Sequence, residues 1–434
     1  MKNRLTLPVL FIAGLLMATG CNSGEKTKPT SASQEPEKAK APVELTMVPY
    51  YLSLSDEDFD EFIVKPVRAK YPHITMKLDR TEPEKLAAAN IVPDLFYTAN
   101  SRYSTFVDMD IPYDMKEEIK ASKLDMNKFA KPNIDWVKEL GSKGEVYGLP
   151  FDINQYALFY NKDLFDKRGV PYPKDGLTWD ELLELSKKLT YQDGSVQYRG
   201  LVVNTPEQLA RIRSIAFVDP QTNKALIDNP ANKAVLELIQ GFYQVPGMIV
   251  NNEFPMKTAD FVKDGTVAMT LNWITDLATS IGKNNPNMNF DLVGAPAFKD
   301  LPNTTIDGGP KMIGISKTSK HKDDAFKVLQ LLVSPEVQSV INRKGRLTAL
   351  ADENIRKDFA SDLPILKGKN VQAALKVKQA KMAPSNPYTA IVVSKFNGVA
   401  KDLALRTKDI NTILREVQEA SDKAIQDELN KKSK

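Results

Sequence analysis

Cysteine is nearly missing from this chain: Cys21 is the single one in 434 residues. No disulfide can form within one chain, so the core must hold without covalent staples. Histidine is almost as scarce, with only His73 and His321. His73 follows Pro72 at a strand start and His321 lies in a charged run, so both read as surface positions rather than catalytic bases. No Cys/His cluster offers a zinc site. There is no G-x-S-x-G for a histidine-based triad to serve. The phosphate loop G-x-x-x-x-G-K-[ST] and the dinucleotide fingerprint G-x-G-x-x-G are also missing. The expectation is a protein without cofactor or metal.

Long apolar runs are missing after Met17, and no later stretch approaches the ~20 residues that cross a bilayer. An excess of one charge is missing too. Lys and Arg number 59 against 55 Asp and Glu, a formal net charge of +4. Lys2 and Arg4 fall in the leader, which holds no acid, so the remainder is close to neutral. Basic and acidic residues alternate without a basic stripe, which excludes nucleic acid as a partner. Adjacent carboxylates such as Asp323-Asp324 diverge on a helix and make a poor acid–base pair. A carbohydrate-active enzyme with two distant carboxylates stays open as an alternative.

What is present starts with the leader. Lys2 and Arg4 precede the apolar run from Leu5 to Met17, and Ala18-Thr19-Gly20-Cys21 closes it. This reads as a secretory signal peptide over 1–20, too short to span a membrane. The ending resembles the bacterial lipobox, although Ala18 stands where leucine is commoner. That resemblance implies that Cys21 carries the lipid, palmitate included. The protein then works on the outer face of the cell membrane. Residues 21–42 are rich in Lys, Glu, Ser, Thr, Ala and Pro and read as a flexible tether.

Folded sequence begins near Val43. Leu45-Thr46-Met47-Val48 reads as a buried strand. Phe59, Phe62, Ile63, Val67 and Tyr71 keep helical spacing, and Ile74–Leu78 alternates as a strand. Pro93–Tyr97 reads as a third strand, so the alternation predicts a parallel sheet with helices on its faces. Thr178-Trp179-Asp180-Glu181 is a capping box. Asp193-Gly194-Ser195 turns a hairpin between Tyr191 and Val196. Ser334-Pro335 starts a helix that Gly345 stops. Ile410, Ile413, Leu414, Val417, Ala420, Ala424 and Leu429 predict a long amphipathic helix at the C-terminus.

Val146-Tyr147-Gly148-Leu149-Pro150-Phe151-Asp152, followed after four residues by Ala157–Phe165, resembles the diagnostic segment of the family 1 extracellular solute-binding proteins. These are the maltose-binding-like receptors of ABC importers. The likeness continues through Gly169-Val170, Pro173 and Thr178–Leu182. It extends to Phe261–Met269 with Trp273, Gly308-Gly309 with Ile313–Ser316, and Ala325-Phe326 through Ser334–Gln338. The resemblance implies an α/β fold of two discontinuous lobes joined by hinge strands near Leu149–Asn154 and Asp307–Met312. The expected N-lobe is 43–150 with a return over 307–350. The expected C-lobe is 151–306 with helices over 351–434.

The same resemblance implies a sugar or oligosaccharide held between the lobes. The closed form, expected as a monomer, then docks on permease subunits that bring their own ATPase. It implies a binder, not an enzyme. A sugar offers apolar ring faces and polar edges, so its receptor needs aromatic platforms and hydrogen-bonding groups. Trp273 aligns with a tryptophan that commonly stacks on sugar; its alternative is the core, just past Val267–Leu271. Tyr97, Asn100 and Arg102 fall in the N-lobe loop that supplies polar contacts. Thr98 replaces a stacking tryptophan of the maltose binders, which argues against maltodextrin. Asn154 replaces a glutamate in the first hinge. Asp152 and Tyr156 are its neighbours, and strand alternation lets only some of them face the ligand. Asp307 and Gly309 sit at the second crossing. Tyr51 and Tyr50 end the first strand, for stacking or for packing. Polyamine, ferric ion and thiamine receptors, and an adhesin, are the competing readings. Polyamine would use Asp152 and Asp307, and ferric ion the tyrosine pair.

Overall fold

A computed structural model describes residues 41–432 except 51, 53, 83–84, 87–92, 100–102, 104–105, 108, 142, 254–256 and 385. The leader, Cys21 and the tether up to residue 40 lie outside the described residues.

Two sheets organise the chain. The first has six strands in the order β12-β4-β11-β3-β1-β2. They are β1 (Val43–Tyr50), β2 (Ile74–Leu78), β3 (Leu95–Ala99), β4 (Leu149–Ile153), β11 (Pro310–Ile315) and β12 (Leu347–Thr348). β1 pairs in parallel with both β2 and β3. β11 and β12 run antiparallel to their neighbours, so the predicted parallel sheet is mixed. Leu45, Met47 and Val48 of β1 are all buried, as expected of a parallel strand covered on both faces. Three consecutive helical segments, Asp56–Phe59, Asp60–Val64 and Lys65–Lys70, form α1. Ser55 caps it by accepting the Asp58 N–H, and three acidic residues fill its first turn, where the helix dipole favours them. Phe62, Ile63 and Val67 pack it on one face of the sheet, together with α7 (Lys322–Leu332) and α8 (Pro335–Arg343). The other face carries α2 (Lys131–Leu140), whose Trp136 and Val137 join Phe96, Tyr103 and Phe106.

The second sheet has the order β6-β7-β8-β5-β9. Its strands are β5 (Tyr156–Asn161), β6 (Tyr191–Asp193), β7 (Val196–Leu201), β8 (Val267–Trp273) and β9 (Phe290–Gly294). The capping box opens α3 (Trp179–Leu189): the Glu181 N–H donates to Thr178 Oγ1 and the Thr178 N–H to Glu181 Oε2. α4 (Pro206–Ile212), α5 (Pro230–Tyr243), α9 (Thr389–Asn397) and the C-terminal α10 (Ile410–Lys432) cover one face. α6 (Ile274–Asn284) covers the other.

The chain passes between the two layers three times, the last after β12, from where it leads on to α9 and α10 on the second sheet. β4 leads into β5 through Asn154-Gln155. β9 returns through β10 (Thr304–Thr305), which pairs with β13 (Lys378–Gln379), to β11. The expected boundary after residue 150 falls inside β4, because Ile153 still pairs with Pro310. The segment beyond residue 350 is not confined to one lobe either. Ile355 packs with the first-sheet core, while Phe359 and Leu366 share a cluster with Ile153, Leu347 and Ile274.

Candidate functional site

The strand order shows where a ligand should sit. In open α/β sheets, ligands bind beyond the carboxyl ends of strands, where the order reverses. β1 lies between β2 and β3, and the strand that follows β1 lies on one side of it while the strand that follows β3 lies on the other. Three expected site residues, Tyr51, Asn100 and Arg102, follow β1 and β3 in the sequence and lie outside the described residues. Tyr50 is buried, with its ring 4.8 Å from Phe106, so it packs. In the second sheet β7 and β8 are parallel, and their carboxyl ends are Leu201 and Trp273. Trp273 pairs with Tyr156, the first residue after the first crossing.

Trp273 is half-buried, and its ring meets that of Tyr156 edge-on at 4.9 Å. Tyr156 is buried and does not present its hydroxyl outward. It donates to the Leu271 carbonyl at 3.2 Å and accepts from Asn204 Nδ2 at 2.8 Å. Burial pushes its phenol well above the ordinary value. Tyr156 thus supports Trp273 rather than offering a second free platform.

Asp307 is 5% exposed and spends its carboxylate on Arg211 of α4. Arg211 Nε lies 3.1 and 3.2 Å from the two carboxylate oxygens, and Nη2 also donates to the Asp307 carbonyl at 2.9 Å. Glu207, one turn earlier, accepts from Arg211 Nη1 at 3.0 Å. Burial disfavours the guanidinium charge, but Asp307 and Glu207 outweigh it and hold the group above its ordinary pKa. Gln379 ties the crossings together: its Nε2 donates to the Asn154 carbonyl at 3.1 Å and to Gln155 Oε1 at 2.9 Å. Asn154 therefore contributes its main chain to the hinge. A Cβ on Gly308 would lie 2.5 Å from the Asn154 oxygen and collide with the Gln379 amide, so only glycine fits this approach.

Two expected contacts are corrected. Asp152 is fully buried, accepting from Tyr97 Oη at 2.5 Å and from Lys311 Nζ at 3.0 Å. Tyr97 is 1% exposed, and burial together with Asp152 pushes its phenol well up. Both point into the first lobe, where Arg346 joins them, reaching Asp58 Oδ2 at 2.7 Å. Burial opposes the Arg346 charge, but Tyr97, Asp152 and Asp58 together raise its pKa.

Gly309 and Asp307 line a cavity of about 610 Å³ at the second crossing, walled by α2 and by residues 379–382. Trp273, Tyr156 and Asn204 are not among its lining residues. Among the described residues no group of three or more His, Cys, Asp or Glu could hold a metal ion. None of the described helices is long and apolar enough to cross a membrane.

The sequence reading missed Asn204, Glu207, Arg211 and Gln379. Two signals for α4 were there. Thr205-Pro206-Glu207-Gln208 fits a capping box, and the Thr205 N–H does donate to Gln208 Oε1 at 3.1 Å. Glu207 and Arg211 are an i,i+4 pair. Nothing local announces the partner of Arg211, which is 96 residues away.

The profile of the family described as bacterial extracellular solute-binding protein matches residues 56–339. A lactose-binding protein of Rhizobium radiobacter is 26% identical over 251 residues, 52% of this chain and 55% of that protein. An arabinooligosaccharide-binding protein of Bacillus subtilis (strain 168) is 25% identical over 221 residues, 48% of this chain and 44% of that protein. The chain thus aligns with about half the length of these two relatives. Among solved structures, an ABC substrate-binding protein from Listeria monocytogenes in complex with cycloalternan has a TM-score of 0.70 at 19% identity. That match covers 88% of this chain and 99% of the other. The sugar-binding protein MalE from Xanthomonas citri gives 0.69 at 18%, covering 89% and 98%. At these identities the likeness is one of fold, the two-lobed architecture described above.

Proposed function

We propose that this chain, which belongs to the bacterial extracellular solute-binding protein family, is the saccharide-capturing receptor of an ABC importer. It binds an uncharged sugar or oligosaccharide between its lobes, leaves it chemically unchanged and delivers it to a permease. The observation that carries the reading is Trp273. Its half-exposed indole stands at the carboxyl end of β8, braced edge-on by Tyr156, whose hydroxyl is itself fixed by Asn204 and Leu271. A rigid aromatic at a strand end suits the apolar face of a pyranose. Asn100, Arg102 and Tyr51, which lie outside the described residues, supply the polar edge. Cys21 carries the lipid anchor, and residues 21–42 tether the lobes to the membrane.

The internal ion pairs support sugar over polyamine. Asp152 and Asp307, the carboxylates a polyamine would need, are neutralised by Lys311 and Arg211. Isothermal titration of residues 22–434 with lactose, mannotriose, arabinotriose and spermidine tests the reading. Saturable binding of one saccharide and none of spermidine is expected. Spermidine binding alone would overturn it.

A further inference from the structure

We infer that the cavity at the second crossing is a second ligand site, for an uncharged polyhydroxylated ring, separate from the site at Trp273. The inference extends the receptor reading and rests on it only for the choice of saccharides as probes.

The cavity has the size and make-up of a small-molecule site. At about 610 Å³ it lies inside the roughly 300–1,000 Å³ range of such sites. Trp136, Pro132, Pro310 and Met382 give it an apolar wall. Trp136 is held in place by an edge contact with Tyr103 at 5.9 Å. Gln379 gives it a fixed polar group. Its Nε2 donates toward the first crossing, and among the described residues Oε1 is left as an acceptor for a hydroxyl.

The charged residues of the lining balance, with Lys131, Lys138 and Lys381 against Asp135, Glu139 and Asp307. Asp135 is bonded to Lys131 at 2.6 Å, Glu139 faces Lys381 at 3.9 Å, and Asp307 is held by Arg211. A wall with an indole, an amide and no net sign favours a neutral ring with one apolar face over an ion or a lipid.

The walls also belong to different parts of the chain. α2 is fixed to the first lobe, with Asn133 Nδ2 donating to the Ala349 carbonyl at 3.3 Å. Residues 379–382 run from the end of β13, and the Ala380 N–H donates to the Thr305 carbonyl at 2.9 Å. Any rotation of the lobes about the crossings changes the gap between these walls. A ligand in the cavity therefore binds one lobe arrangement better than another, and by linkage changes affinity at Trp273.

The chain has three tryptophans, Trp136, Trp179 and Trp273, which makes the test direct. A Trp179→Phe/Trp273→Phe variant of residues 22–434 leaves Trp136 as the reporter of the cavity. A Trp136→Phe/Trp179→Phe variant leaves Trp273. Each is titrated with lactose, mannotriose, arabinotriose, D-glucose, D-mannose and L-arabinose. The expected result is saturable change in Trp136 emission with at least one of these. Its midpoint differs from that of Trp273, and adding Ala380→Phe, which fills the cavity, weakens it at least about tenfold. If Ala380→Phe does not fold, protection of Trp136 from acrylamide quenching by the same sugar replaces it. A Trp136 response with the Trp273 midpoint that survives filling, or gives no such protection, would make Trp136 a reporter of lobe motion and overturn the site. A response at Trp273 with none at Trp136 sinks this inference and spares the receptor reading. Silence at both tryptophans sinks both.

Discussion

Arg211 grips Asp307 twice, through the carboxylate and through the main-chain carbonyl, and so fastens the second lobe's α4 to the second crossing. The carboxylate is 5% exposed, so it has no recourse to water if the arginine leaves. Arg211→Ala should destabilise the fold by about 3 kcal/mol or more, the usual result of stranding a buried charge. Asp307→Asn should cost clearly less, because Arg211 keeps Glu207. Urea denaturation of the two variants measures both. Equal losses would mean that the pair is not a buried unit.

Trp273→Ala should lower saccharide affinity by about 10- to 100-fold, as expected for an aromatic anchor. Tyr156→Phe should act indirectly, by freeing the Asn204 amide and loosening the indole. Its effect on affinity should be smaller and its effect on stability comparable to one lost buried hydrogen bond, about 1 kcal/mol. Calorimetric titration beside thermal melting separates the two.

Asp152→Asn should leave saccharide affinity within about twofold while lowering stability by about 1–3 kcal/mol, because among the described residues its hydrogen bonds run to Tyr97 and Lys311, inside the first lobe. A large affinity loss in a stably folded variant would return Asp152 to the ligand site.

Alkaline pH should unfold the protein steeply. Burial holds the phenols of Tyr97, Tyr103 and Tyr156 above their ordinary pKa near 10. In the unfolded chain they ionise near that value, so the stability they contribute is complete below about pH 10 and is lost as pH rises beyond it. Three such groups remove about 4 kcal/mol per pH unit, at about 1.36 each. Tyrosinate absorbance should show these three titrating together with loss of structure. Titration before unfolding would contradict the burial.

Much of this was legible in the sequence because it is local. The capping box at Thr178, the hairpin at Gly194 and the helix opened by Ser334-Pro335 each depend on residues within a few positions, and all three are found. Trp273 was legible as a candidate because its segment has a recognisable pattern, and it ends β8. Asp152 and Tyr97 were misplaced for the opposite reason. Alternation fixes which residues share a face but not which face is covered. What settles it is Lys311, 159 residues from Asp152, and Arg346, 249 residues from Tyr97. The crossing cavity was invisible for the same reason, since α2, Gly309 and Gln379 meet only in the folded chain.

The central claim is that two lobes capture a saccharide and release it unchanged. Small-angle scattering of residues 22–434 during titration with lactose, mannotriose and arabinotriose, with chromatography of the recovered sugar, tests it most directly. The account predicts that one of these sugars compacts the protein saturably and is recovered intact. Binding without compaction, or recovery of a cleaved sugar, would contradict it.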